Sequence, residues 1–537
     1  MVSYSNTEYN TQQILLSDKI MSKTLLKSTS TVVAMTMISR IFGFIRDMVT
    51  ASFFGADAAF DAFSVAFKIP NFMRRLFAEG SFSQAFVPVL SEYQKTQSEV
   101  EVRRFINAMS GTLAVTLFLV TLFGVIFAPV IIRIFAPGFA STGYRYELAV
   151  TMLRITFPYL MFISLTAFSG AILNTYHRFW VAAFTPVFLN IVMIGAAFFL
   201  SPQFSQPIIG LAWGVFIAGI IQLFFQWPFL KQLQLLPKFK VNFKDPGVSR
   251  VLKLMVPALF GVSVGQVNLL VDTLFASLLA VGSVSWLYFS DRLMEFPLGV
   301  FGVAISTVIL PHLSRHHATQ SEQSYSLTLD WALRAVLLIG IPAGVVLAVS
   351  SGPIISTLFQ YGRFNSHDVL MTKQSLSAFA LGIAPFMLVK ILASGFYAKQ
   401  DMRTPVRIGV IAMVSNTMLN ATLIFPLAHA GIALSTSLAA LINTACLYYY
   451  LRQRGYYRPR DGWTLFAFRL SFASVILAFW LWMGAGDLTT WLAHSALWRY
   501  QHLFILLSSA VVIYLFALWL LGLRLHHLLV PQHQGAS

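Results

Sequence analysis

Long apolar stretches recur along the chain and alternate with short polar segments. Between about residue 29 and residue 523 the sequence contains fourteen such stretches, each long enough for a membrane-spanning helix. An α-helix needs about 20 mostly apolar residues to cross the ~30 Å hydrocarbon core of a bilayer. The pattern therefore predicts an all-α polytopic membrane protein with about 14 transmembrane helices.

The composition agrees with this fold class. Hydrophobic residues make up 57% of the 537 residues, only 11% are charged, and the mean hydropathy is +0.72. The single cysteine, Cys446, lies in an apolar run, which leaves no disulfide within the chain and no cysteine-based metal cluster. The sequence contains no HExxH, P-loop or GxGxxG motif, so motifs predict neither catalytic residues nor a bound cofactor.

An internal repeat divides the chain. The segment SQAFVPVLSEY (83–93) matches STVILPHLSRH (306–316), and a later match at a similar offset brings Asn190 against Asn420. Equivalent helices of the two halves then share one orientation, an arrangement that lets transporters rock two lobes about a central site. The repeat predicts two six-helix lobes, followed by two C-terminal helices that lie outside it.

The predicted boundaries follow from the repeat and the loops. Residues 229–249 alternate apolar with basic side chains, which suits a segment on an anionic membrane surface. Translation from Met21 is as plausible as translation from Met1, so the start is left open. The predicted parts are a disordered extension (1–24), an N-lobe with helices 1 to 6 (25–228), an amphipathic cytoplasmic linker (229–249), a C-lobe with helices 7 to 12 (250–453), a C-terminal helix pair (454–523) and a tail (524–537).

The net charge of +17 is distributed loop by loop. More than half of the 37 lysines and arginines lie in the N-terminal tail, in the loops after even-numbered helices, and at the C-terminus. The opposite side carries only Arg133, Arg145, Arg363, Lys373 and Arg499. By the positive-inside rule both termini face the cytoplasm. Because the basic residues form no single soluble module, we expect no nucleic-acid partner.

Several charges lie inside the apolar stretches. They include Arg40, Arg46, Asp61, Arg74, Arg292 and Glu295. An ionised side chain at the bilayer centre costs at least ~2.5 to 3.5 kcal/mol, so each charge needs a water-filled cavity or a partner. Several guanidinium groups favour a polyanion, because their planar fork binds phosphate through two hydrogen bonds and stays charged. The carboxylates could orient the arginines, receive substrate groups or act in gating, and the sequence leaves these roles open.

Arg75 and Glu79 favour a simpler interpretation. The two residues are four positions apart, which places them on one face of a helix. We predict that they form a structural ion pair that holds helices together and does not bind substrate.

Five strings carry a family resemblance: MTMISRIFGFIRD, DAFSVAFKIPNFMRRLFAEGSFSQAFVPVLSEY, SVSWLYFSDRLMEFPLGVFGVAISTVILP, LFQYGRF and GFYAKQDMRTPVRI. They closely resemble the MurJ (MviN) lipid II flippases of Gram-negative bacteria, from about Leu25 to the C-terminus. The resemblance implies a member of the MOP exporter superfamily in the inner membrane, which is a transporter and not an enzyme. It also implies that the C-terminal helix pair forms a hydrophobic groove for an undecaprenyl tail.

The resemblance implies four cavity arginines, two cavity acids and one functional lysine. These are Arg40, Arg46, Arg74 and Arg292, then Asp61 and Glu295, and finally Lys390. The implied substrate is lipid II, an undecaprenyl-diphosphate with MurNAc-pentapeptide and GlcNAc, which moves from the cytoplasmic to the periplasmic leaflet for peptidoglycan synthesis. Coupling to a monovalent ion or to the membrane potential is left open, as are contacts with cell-wall synthesis or division proteins.

Other functions fit the sequence less well. A flippase for another lipid-linked oligosaccharide, of the O-antigen type, would share the fold. A drug exporter of the same superfamily should favour acidic and aromatic groups for cationic substrates, whereas arginine prevails here. A membrane enzyme acting on polyprenyl phosphates should carry catalytic groups in large extracytoplasmic loops, and these loops are short. A channel or a scaffold would leave the two-lobe repeat unexplained.

Overall fold

The structure, a computed structural model, describes residues 31–140, 143–302, 305, 309–314 and 322–523. Over these residues the chain is built from helices and connecting turns, and contains no strand. The predicted extension (1–24) and tail (524–537) lie outside the described residues.

Each predicted span contains a helix over its described residues, but several ends differ: α2, for example, continues to residue 96 beyond its predicted end at 80. Three short helices are also present, Ala128–Phe135, Ser351–Phe359 and Leu488–Ala493. The longer helices are numbered in chain order. They are α1 (31–54), α2 (58–96), α3 (Glu99–Ile126), α4 (Tyr144–Thr175), α5 (Phe179–Gln203), α6 (Pro207–Gln232), α7 (Pro246–Ser277), α8 (Ser283–Pro297), α9 (Glu322–Val349), α10 (Ser366–Ala398), α11 and α12 (Arg403–Gln453, divided at Ala428), α13 (Trp463–Ala485) and α14 (Ala496–Leu520). Nine helical segments within the described ranges are long and apolar enough to cross a membrane. The all-α polytopic class is confirmed, and these segments are consistent with the predicted count of helices.

Local sequence explains where several helices begin and divide. Ser98 accepts a hydrogen bond from the Glu101 amide at the start of α3, and Asn365 forms a reciprocal capping box with Asp368 before α10. Between α11 and α12, Ala428 has φ 47° and ψ −128°, so the helix breaks there. The break falls between 405–427 and 430–451, two of the fourteen apolar stretches that the hydropathy pattern predicts as separate helices.

Two helices contain a wider turn at equivalent places of the repeat. In α2 the segment Arg74–Phe82 is π-helical and precedes the first repeat match. After α8 the segment Leu298–Gly302 is also π-helical and precedes the second match. Each follows a proline, Pro70 or Pro297, that removes a backbone hydrogen-bond donor. These segments are candidate hinges in the two halves.

Contacts between Cα atoms group the chain into two compact units. The first consists of the part up to Val49, Ala66–Ala128 and Thr151–Val262, and the second of Thr50–Val65, Pro129–Val150 and the part from Ser263 onward. The start of α2 therefore belongs to the second unit, together with α8. The predicted lobes follow the repeat and not these contacts, and their boundaries stay predictions.

Aromatic side chains form the core of each unit. In the first unit the rings of Phe82 and Phe86 stack at 5.1 Å, and Phe86 stacks on Phe105 at 5.7 Å. In the second unit Phe60 stacks on Phe289 at 5.1 Å. Stacked pairs add about 0.5 to 1.5 kcal/mol to the burial of their area. The Phe60 contact fixes the start of α2 against α8.

Candidate transport site

Arg46 is bonded inside the first unit. Its Nε and Nη2 donate to Asp47 Oδ1 at 3.1 and 2.7 Å, and its Nη1 donates to Asn190 Oδ1 at 2.9 Å. Asn190 Nδ2 in turn donates to the Ser39 carbonyl at 3.1 Å. Arg46 and Asp47 are buried, so the pair neutralises itself and ties α1 to α5. The repeat match that singled out Asn190 thus marks a helix contact.

Arg40 and Arg74 lie half-buried in the same unit. Arg40 forms no hydrogen bond or ion pair with any described residue, so no described group occupies its five N–H donors. Arg74 Nε donates to Asn71 Oδ1 at 2.8 Å, one turn earlier on α2. The side chain of Glu79 lies outside the described residues, and its pairing with Arg75 stays a prediction.

Arg292 and Glu295 form an ion pair on α8 in the second unit. Arg292 Nη1 donates to Glu295 Oε2 at 2.9 Å, and the guanidinium carbon lies 5.0 Å from the centre of the Tyr288 ring. The two side chains keep 25% and 38% of their surface exposed, so the carboxylate orients the guanidinium without enclosing it. Lys390, on α10, is half-buried.

Asp61 is buried at the amino terminus of α8. Its carboxylate accepts hydrogen bonds from the amides of Gly282 and Ser285 at 2.8 and 2.9 Å, and from the Ser285 hydroxyl at 2.6 Å. Arg145 Nη1 lies 3.7 Å away. A carboxylate at this position satisfies free amides and opposes the positive end of the helix dipole. Asp61 therefore links the start of α2 to the start of α8.

Gly282 lets these two segments approach each other. Its φ is +95°, and a Cβ added there would lie 2.9 Å from the Ala56 carbonyl oxygen and 2.6 Å from the Trp286 ring. Trp286 Nε1 donates to Asp368 Oδ1 at 3.0 Å, which ties α8 to α10. A larger residue would separate Asp61 from the helix that it caps.

A polar cluster on α7, α11 and α12 combines one carboxylate with several neutral oxygens. Asp272 Oδ1 accepts from the side-chain amides of Asn416 and Asn420 at 2.8 and 2.7 Å, and Thr436 Oγ1 lies 3.3 Å from Asp272 Oδ2. Asn416 Nδ2 also lies 2.8 Å from Asn268 Oδ1. The buried Oδ1 atoms of Asn416 and Asn420 accept no hydrogen bond within the described part of the chain.

This cluster could hold a monovalent cation. Oxygen ligands suit hard cations, and rotation of the two amides would turn their unbonded oxygens toward Asp272. Among the described residues no group of three histidine, cysteine or acidic side chains could hold a metal ion. None of these residues was among the predicted site residues, although Asp272 is a charge inside an apolar stretch; its neutral partners give no such signal.

An apolar groove of about 630 Å³ lies between α9 and the C-terminal helices. Its lining includes Ile339 and Pro342 of α9, Leu477 of α13, and Val511 and Leu515 of α14. The C-terminal helix pair therefore forms one wall of an apolar groove, and its use by a lipid tail stays a prediction.

Two polar anchors hold α13 and α14. Beside the start of α13, Asp330 Oδ1 accepts from Tyr457 Oη and Trp463 Nε1, both at 2.7 Å. Near the start of α14, Arg499 Nη1 donates at 2.7 Å to the Ser356 carbonyl and at 2.7 Å to Gln360 Oε1. Apolar packing alone gives little preference for one helix position in lipid, so such bonds fix the wall of the groove. Neither anchor was among the predicted site residues.

Comparison with known proteins identifies the family. The family model "Lipid II flippase MurJ" matches residues 50–502. The chain belongs to the MurJ family. The chain is 47% identical to "Probable lipid II flippase MurJ" of Vibrio cholerae, over 94% of this chain and 98% of the relative. It is 40% identical to "Lipid II flippase MurJ" of Burkholderia cenocepacia, over 93% and 98%.

Solved structures agree with this assignment. The structure "Lipid II flippase MurJ, inward closed conformation" superimposes with a TM-score of 0.77 at 28% identity, covering 90% of this chain and 97% of the other. An inward-facing multidrug transporter of the MATE family and MOP superfamily gives a TM-score of 0.65 at 10% identity, over 79% and 97%. The second match shows a shared fold alone. The resemblance seen in the sequence is confirmed, and a MurJ member is a transporter and not a polyprenyl-phosphate enzyme.

We expect Asp61→Asn to destabilise the protein more than Glu295→Gln does. The amide would offer a donor toward the Gly282 and Ser285 amides, and hydrogen bonds to a charged group contribute about 1.5 to 3 kcal/mol each. Glu295 is partly exposed and serves as the matched control. Thermal unfolding of the purified variants measures the difference, and equal Tm values would contradict the linking role of Asp61.

Proposed function

We propose that this chain is a lipid II flippase of the bacterial inner membrane. It carries the undecaprenyl-diphosphate-linked peptidoglycan precursor from the cytoplasmic to the periplasmic leaflet by alternating access. The observation that supports this most is the set of partly exposed guanidinium groups on membrane helices, in a chain whose relatives are named flippases of this lipid. Both termini face the cytoplasm in this proposal.

The chemical barrier to flipping is the head group. A diphosphate with sugar and peptide cannot enter hydrocarbon unless its hydration is replaced. Arg40, Arg74 and Arg292 supply donors whose fork matches phosphate oxygens. Glu295 holds Arg292 in place, and Lys390 adds a further positive charge.

Arg46 has a different role in this conformation. Its donors are directed to Asp47 and Asn190, and it is buried. We therefore assign Arg46 to positioning α1 against α5. Direct contact with the diphosphate would require it to exchange these partners.

The lipid tail and the gate involve other elements. The apolar groove beside α13 and α14 accepts part of the undecaprenyl chain, which stays in contact with lipid throughout.

Asp61 and the start of α8 lie near loops that are predicted to be periplasmic, so their hydrogen bonds close the periplasmic side. Of the three roles left open for Asp61, this geometry favours gating. Outward opening then requires these bonds to break.

The cluster around Asp272 binds a monovalent cation in this proposal. The amide oxygens of Asn416 and Asn420 accept no hydrogen bond from any described residue, and this supports the proposal because a buried acceptor without a partner is costly. A bound cation adds positive charge to the second unit, and the membrane potential acts on such a charge. Association with cell-wall synthesis or division proteins stays a prediction.

Lipid II exposure at the outer leaflet tests the cargo. Cells depleted of their own flippase should regain exposure with the wild-type chain and lose it with Arg40→Ala or Arg292→Ala. Arg407→Ala is the matched control, because Arg407 is exposed on α11 and outside the proposed site. If a well-expressed wild type restored no exposure, the cargo would be another lipid-linked glycan.

Thermal unfolding tests the cation site separately from transport. The Tm of the purified protein should be higher in sodium chloride than in choline chloride at equal ionic strength, because a ligand of the folded state stabilises it. Asp272→Asn should abolish this difference, whereas Asp487→Asn, at an exposed residue, should keep it. A wild-type Tm that is the same in sodium, potassium and choline salts would rule the site out.

A further inference from the structure

The first unit contains an apolar cavity of its own. Its volume is about 280 Å³, and it lies between α2, α3, α4 and α7. Phe82, Thr112 and Thr116 line one side, and Leu252 and Val256 line the other. Leu252 and Val256 keep 37% and 55% of their surface exposed, so the cavity opens at the surface of the unit.

The internal repeat relates this cavity to the groove of the second unit. The match that aligns Pro88 with Pro311 has an offset of 223 residues. At that offset four lining residues of the cavity correspond to four lining residues of the groove: Phe82 to Ile305, Thr112 to Ala335, Thr116 to Ile339, and Val120 to Ala343. The same face of the repeat is thus covered by α7 in the first unit and by α13 and α14 in the second.

The linker after α6 is fixed beside the cavity. The Lys238 amide donates to Asn107 Oδ1 at 2.7 Å, and the Asn242 amide donates to Thr112 Oγ1 at 3.3 Å. Between them the backbone of Lys240 passes so close to Gly111 that an added Cβ would lie 2.4 Å from it. The linker therefore crosses α3 next to Thr112, a residue of the cavity wall.

The linker and the first turns of α7 carry several exposed lysines. Lys238, Lys240 and Lys244 of the linker and Lys253 of α7 are exposed, and none forms an ion pair within the described part of the chain. Phe239 of the linker is also 69% exposed. Exposed lysines and aromatic side chains together are typical of segments that bind an anionic membrane surface.

We propose that the first unit binds an anionic glycerophospholipid, with one acyl chain in the cavity and its phosphate at the linker lysines. Charge complementarity selects an anionic head group over a zwitterionic one. The cavity has less than half the volume of the groove, about 280 against 630 Å³, which favours an acyl chain over a polyprenyl tail. The site does not depend on lipid II being the cargo.

Thermal unfolding of the purified full-length protein in detergent tests the site. Dioleoyl phosphatidylglycerol should raise the Tm more than dioleoyl phosphatidylcholine does. Thr116→Trp fills the cavity and should abolish the rise with phosphatidylglycerol. Ile339→Trp, at the equivalent position of the groove, should leave it intact. Because no lipid II is present, failure of this test would leave the proposed cargo untouched.

A variant at exposed residues covers the case in which Thr116→Trp fails to fold. The double variant Lys238→Gln/Lys240→Gln should reduce the effect of phosphatidylglycerol to that of phosphatidylcholine. If phosphatidylglycerol raised the Tm of folded Thr116→Trp as much as that of the wild type, the proposal would be overturned. It would also be overturned if the lysine variant still preferred phosphatidylglycerol over phosphatidylcholine. A larger rise with undecaprenyl phosphate, lost in Thr116→Trp, would instead make the cavity a second tail site.

Discussion

A charge in a membrane helix must be paired, capped or solvated, and the described structure is organised around this constraint. The carboxylate of Asp61 caps α8, and the guanidinium of Arg46 is neutralised by Asp47. Asp330 is likewise enclosed by donors at the start of α13. Removing one partner of such a buried pair is strongly destabilising, typically by about 3 to 5 kcal/mol. These charges therefore hold helices together, and the donors of Arg46 are already taken up by Asp47 and Asn190.

The remaining arginines differ in burial and in partners. Arg40 has no hydrogen-bond partner among the described residues, and Arg292 is oriented by a carboxylate that is itself partly exposed. Because Glu295 orients Arg292 before an anion arrives, the Arg292 side chain loses less rotamer freedom when the anion binds. Some charges are thus buried and bonded within the protein, whereas Arg40 and Arg292 stay partly exposed. Partly exposed arginines on membrane helices are what a transporter of a phosphate-containing substrate needs.

The sequence predicted the helices well and their contacts poorly. Hydropathy is a local property, so the spans could be placed from short stretches, and even the break at Ala428 fell between two predicted helices. The partners of Asp61 lie more than 200 residues away in the chain, and no local pattern reveals that they cap a helix. Asn416 was missed for another reason, since a neutral amide in an apolar run gives no signal until its neighbours are known.

We propose that a guanidinium fork recognises the diphosphate of lipid II, so binding of lipid II to the purified protein should depend on that fork. Arg292→Lys keeps the charge but loses the two parallel hydrogen bonds, so lipid II affinity should fall roughly tenfold, equivalent to about 1.4 kcal/mol. Arg407→Lys, on the exposed side of α11, should bind like wild type. If Arg292→Lys kept the wild-type Tm and bound lipid II with wild-type affinity, recognition of the diphosphate by two parallel hydrogen bonds would be ruled out.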